Sequence, residues 1–157
     1  MSAKFTRFWC LPRRRRSLLA EALAALALAR ISMAILPFRR IAAWLGTPGI
    51  ETPLSADDSQ VTTARDIGWA VACVARRVPW DGRCLAQAIA ASAMLRRRGL
   101  QGTVNFGAER GGSKELIAHA WLRFGPCIVT GGQGHERFRL FTTVSRTSGF
   151  THQSKNK

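Results

Sequence analysis

Acid is scarce in this sequence. Nine Asp and Glu stand against 24 Lys and Arg in 157 residues, a net charge of +15. Such a surface attracts anions: nucleic acid, acidic lipid or an acidic peptide. The charge is scattered, in Arg13 to Arg16, Arg39 and Arg40, Arg76 and Arg77, Arg96 to Arg98, and the tail. Three of these clusters fall near expected helix ends, where solvated arginines complement the helix dipole. No recognition-helix, zinc-finger or RNP pattern accompanies them, so a dedicated nucleic-acid surface is not expected. Cysteine is also sparse. Cys10, Cys73, Cys84 and Cys127 form no CxxC pair, and His119, His135 and His152 are not at zinc-ligand spacing. Neither a structural metal nor a disulfide framework is expected, and a reducing, cytoplasmic setting follows from that reading. No P-loop is present, so ATP chemistry is not expected in this chain. Internal repeats are absent too.

Long apolar runs are few. Residues 17–36 are rich in Ala and Leu and behind an Arg run they mimic a secretory signal. Glu21 and Arg30 interrupt them, and the longest unbroken apolar stretch, Ala22 to Ala29, is too short to span a bilayer. A docking helix, stopped by Pro37, is the expectation, packed on this domain or on a partner.

What remains is one domain's worth of chain, 46% apolar, long enough to bury a core without a staple. The reading divides it into a basic N-terminal segment at 1–46, a Gly/Pro-rich loop at 47–58, a core at 59–147 and a loose polar tail at 148–157. Phe38 to Leu45 reads as a short helix closed by Gly46. Val61, Ala64, Ile67, Gly68, Val71, Ala72 and Ala75 recur at helical spacing, with Asp58 or Ser59 as N-cap. That helix should stop near Pro79. Cys84 to Arg98 reads as the next, with Leu85, Ala88, Ile89, Ser92 and Leu95 on its apolar face and Gly99 as its stop. Beyond it the period changes to two. Strands are expected at Thr103 to Ala108, Leu116 to Phe124, Cys127 to Thr130 and Arg137 to Thr142, in an antiparallel meander with a turn around Gly111 and Gly112. Helices first and sheet second predict an α+β domain.

Chemistry concentrates at one junction. Pro79 and Gly82 break the preceding helix, so Cys84 falls in the first turn of the next. Unpaired N–H groups and the dipole there stabilise a thiolate and can hold an oxyanion. Buried free cysteine is usually mere core, and Cys73 and Cys127 read that way. His119 lies on a strand with Trp121 on the same face and could meet the thiol across a helix–sheet interface. Trp80 and Trp121 are candidate walls of a substrate pocket.

The stretch from Cys84 to Gly99 (CLAQAIAASAMLRRRG), followed by His119-Ala120-Trp121, resembles the transglutaminase-like leader peptidases of lasso-peptide biosynthesis. The Leu36-to-Arg40 and Trp44-to-Gly46 segments resemble the front of those proteins, and the likeness covers about residues 17–142. It implies a papain-like cysteine peptidase core that removes the leader from a ribosomally made precursor. Cys84 would be the nucleophile and His119 its base. An asparagine-synthetase-like cyclase would then close the ring, and ATP would enter only through that partner. The residues before 46 are too few and too helical for the family's leader-recognition domain, so the resemblance implies that this chain either recruits a separate leader-recognition protein or binds the leader directly. A third catalytic member is expected near Thr130 to Gln133, where no carboxylate stands. Gln133, Glu136 and Asp81 are the candidates, with a Cys-His dyad as the alternative. A transamidase of the same fold, and a non-enzymatic module binding nucleic acid or anionic membrane, are the competing readings.

Overall fold

The computed structural model describes residues 12–80, 84–111 and 115–146. Among the described residues four helices precede the main strands: α1 (Arg13–Ile35), α2 (Phe38–Leu45), α3 (Asp58–Ala75) and α4 (Cys84–Arg96). Five strands form one sheet: β1 (Thr47–Pro48), β2 (Thr103–Arg110), β3 (Leu116–Phe124), β4 (Cys127–Thr130) and β5 (Arg139–Ser145). Their order is β1-β5-β2-β3-β4, and every pairing is antiparallel. The fold is thus α+β, helices followed by an antiparallel sheet.

The helices end where local chemistry requires. Pro37 cannot continue α1, and Gly46, with a φ of 148°, closes α2. α3 starts after Asp57 and stops at Ala75, one turn before Pro79. α4 ends at Arg96, two residues before the expected Arg98.

The helices cover one face of the sheet. α1 packs on α3 and α4, and its buried stripe of Leu18, Ala22, Leu26 and Ala29 joins the same core as Ile67, Val71, Met94, Leu95 and Leu122. Each fully buried leucine here contributes about 1.5–3 kcal/mol of hydrophobic stabilisation. The expected docking helix therefore docks on its own domain. α3 lies against β4 at Gly68, where a Cβ would stand 2.2 Å from the Val129 carbonyl oxygen. Only glycine permits that backbone approach.

Two expectations are corrected. The sheet is not a simple meander: β5 returns past β3 and β4 to pair with the free edge of β2. Residues 47–58 are not a plain loop either. Thr47 and Pro48 pair with Ser145 and Val144. Thr52 is buried, and its N–H and hydroxyl both bond the Thr103 hydroxyl, at 2.8 and 2.9 Å. Arg123 reaches the Thr52 carbonyl at 3.0 Å and Glu51 at 3.3 Å. Polar groups on the sheet face away from the helices need partners, and this segment supplies them. The polar tail, Cys10, His152, Gly112 and Asp81 lie outside the described residues.

Candidate active site

Cys84 is the first described residue of α4, and the expected break at Gly82 lies outside the described residues. The first N–H groups of a helix have no partner within it. Cys84 is half-buried and packs against the helix-side core. The thiols of Cys73, Cys84 and Cys127 are all free. Cys73 takes a contact from Arg76 at 3.7 Å, and the Cys127 thiol points at the Ile128 carbonyl at 3.6 Å. Neither begins a helix.

His119 is half-buried on β3, opposite Gly107 of β2. Phe138 stacks on it with centroids 4.7 Å apart, and Trp121 flanks it at 5.8 Å. Gly107 leaves room for this stack, since a Cβ there would meet Phe138 at 2.8 Å and the Trp121 ring at 2.9 Å. The imidazole Nε2 donates to the Gly131 carbonyl oxygen at 2.8 Å. A carbonyl only accepts, so Nε2 carries the hydrogen. In the neutral ring that leaves Nδ1 with the lone pair, the atom a general base uses.

Strand parity sets where this ring points. Ala120, Leu122 and Phe124 belong to the core beneath the helices. His119, Trp121 and Arg123 alternate with them and project from the other face. That corrects the expected meeting of His119 with the thiol across the helix–sheet interface. Leu122 and Phe124 supply the bulk that fills the core, and their parity carries His119 outward. α4 does pack against β3. Among the described residues no hydrogen bond joins Cys84 to His119. β4 pairs with β3 between Leu122 and Phe124, and among the described residues the β3 edge beside His119 has no strand partner on that side.

The third member expected around Thr130 to Gln133 is met in position by a different kind of group, the Gly131 backbone carbonyl. Gln133 is exposed, and among the described residues no hydrogen bond joins it to His119. Glu136 is 74% exposed and lies 3.4 Å from His135 Nδ1 instead. Asp81 falls outside the described residues. Trp121, 7% exposed, is a buried flank of His119, with His135 at 5.7 Å on its other side. Trp80 is half-buried just before the Cys84 junction, and its indole Nε1 is buried without an acceptor among the described residues. Sequence reasoning missed Phe138 and the Gly131 carbonyl. Only the glycine pair at 131 and 132, which lets a chain pass close to a strand, hinted at the latter.

A family model described as Transglutaminase-like superfamily matches residues 27–143, about three quarters of the chain. The match contains Cys84, His119, Gly131 and all five strands except the last two residues of β5. No curated protein and no solved structure matches the chain.

Proposed function

We propose that this chain, which belongs to the transglutaminase-like superfamily, is a cysteine endopeptidase that removes the leader from a ribosomally made lasso-peptide precursor. The superfamily includes cysteine peptidases and transamidases. One observation carries the catalytic part of the reading: a cysteine opens a helix packed on the very strand whose histidine is anchored through Nε2, with Nδ1 left as base. The lasso assignment rests on the resemblance of the Cys84 to Gly99 and His119 to Trp121 segments.

In this reading Nδ1 of His119 takes the Cys84 proton as sulfur attacks the scissile carbonyl. N–H groups at the start of α4 hold the oxyanion. The imidazolium then protonates the leaving amine, which is the new N-terminus of the core peptide. Water, deprotonated by Nδ1, hydrolyses the leader thioester and releases a free carboxylate. The reaction requires the thiol and Nδ1 to come within hydrogen-bond reach once the peptide is bound. The Gly131 carbonyl does the work an acid does elsewhere: it orients the ring, but it adds no negative charge. No cofactor enters this chemistry, and ATP belongs to the partner cyclase.

The test incubates the chain with precursor peptide, cyclase and leader-binding partner, and follows the products by mass. Leader with a free carboxylate is expected, and a folded Cys84→Ala variant should produce none. Precursor left intact by the complete mixture would sink the proposal. Leader joined to an added amine would identify a transamidase instead.

A further inference from the structure

From Leu18 to Ile35 α1 is apolar except at Glu21, Arg30 and Ser32, yet only one stripe of it is covered. Leu18, Ala22, Leu26 and Ala29 face α3 and α4. On the opposite side Leu23, Leu28, Ile31 and Ile35 are 46, 64, 53 and 72% exposed, and the alanines between them, Ala20, Ala24 and Ala34, are exposed too. A contiguous apolar stripe of this kind on an outer helix face is normally covered, by protein or by lipid. By length and composition α1 could cross a membrane. Its inner stripe is built into the core, so the outer stripe is what remains available.

The charge around that stripe says what covers it. Residues 12–46 hold seven arginines and a single acid, Glu21. Glu21 is already taken, by Arg98 at 2.7 Å and Arg97 at 3.4 Å. Arg13 lies at one end of the stripe and Arg39 and Arg40 at the other, all exposed and without a carboxylate partner among the described residues. Phe38 is 55% exposed, and Trp44, 39% exposed, is an aromatic of the type that favours a headgroup interface. A second copy of this chain carries the same +15 and would be repelled. An anionic bilayer offers both an apolar phase for the stripe and phosphates for its flanking arginines.

We propose that the outer face of α1, with Arg13, Arg39 and Arg40 at its ends, seats this protein flat on an anionic membrane surface. The leucines and isoleucines enter the acyl boundary, and the arginines hold the lipid phosphates. The proposal is independent of the catalytic reading, because neither Cys84 nor His119 takes part.

Flotation of the full chain with vesicles tests it. Binding to phosphatidylglycerol vesicles is expected, weakening with salt, and little or none to phosphatidylcholine. Ile31→Ser with Ile35→Ser should lower the partition coefficient about tenfold, since both side chains are solvent-exposed and their loss removes apolar contact with lipid. Arg39→Gln with Arg40→Gln should weaken it several-fold more than Arg110→Gln with Arg139→Gln, which removes equal charge from the sheet. Circular dichroism checks that each variant is folded. Partition unchanged in the isoleucine variant, or equal binding to both lipids, overturns the proposal. So does a dimer in sedimentation that the isoleucine substitutions dissolve while vesicles float without protein, which would assign the face to a second copy.

Discussion

Replacing Gly131 by alanine should both destabilise the fold and disable His119. Gly131 has a φ of 73°, in the left-handed region. An L-residue there costs about 1–2 kcal/mol. The new Cβ would stand 2.6 Å from the Ala120 carbonyl oxygen and 2.9 Å from Trp121 Cβ, so backbone has to move. Movement stretches the 2.8 Å bond from His119 Nε2, worth about 1 kcal/mol. Reduced freedom of the unfolded chain returns about 0.4–1 kcal/mol. The net expectation is a loss of about 1–2.5 kcal/mol, by the sum of these contributions. Gly132→Ala is the control. Gly132 is outside the left-handed region, and its Cβ would meet only the flexible Ile128 side chain at 3.1 Å, so its cost should stay below about 1 kcal/mol. Urea titration followed by tryptophan fluorescence reads both variants. NMR of the imidazole reads the tautomer, which should lose its Nε2–H preference only in Gly131→Ala. Equal midpoints for the two variants, or an unchanged tautomer, would refute this account of how His119 is held.

Other substitutions probe the joints between elements. Arg96 donates to the carbonyls of Trp44 and Leu45, the last two residues of α2, and its guanidinium lies 4.2 Å from the Trp44 ring centroid. Burial lowers its pKa to about 10, so it stays charged at neutral pH. Arg96→Met should cost about 2 kcal/mol in thermal or urea unfolding, because the carbonyls lose charged donors. Glu21 ties α1 to the end of α4, and the hydrogen bond from Arg98 holds its carboxyl below the ordinary value of 4.5 despite burial. Its contribution is therefore complete above about pH 5 and fades as pH falls through the lowered folded value. Glu21→Gln should lose about 1–2 kcal/mol at pH 7 and flatten the acid limb of the stability profile. An acid limb unchanged by that substitution would place the titration elsewhere.

The helices were legible because their apolar spacing and their breakers agree. Pro37 and Gly46 end α1 and α2 where observed. The strands were legible to within a few residues, since alternation reports local extension. Alternation does not report partners, however. Nothing in the residues of β5 marks β2 as its neighbour, and nothing in residues 49–53 announces their place over Thr103 and Arg123. The same limit explains the site. The spacing gave His119 and Trp121 a common face, but which face meets the helices depended on Leu122 and Phe124 winning the core. The group holding His119 is a main-chain carbonyl, which every residue possesses, so no side-chain pattern could single it out.

The most direct measurement of the central claim is the rate of alkylation of Cys84 by limiting iodoacetamide at neutral pH, in the presence of precursor peptide, with peptide mapping. The account predicts that Cys84 reacts faster than Cys73 and Cys127, and that His119→Ala slows Cys84 alone. Equal rates at the three thiols, indifferent to His119, would contradict it.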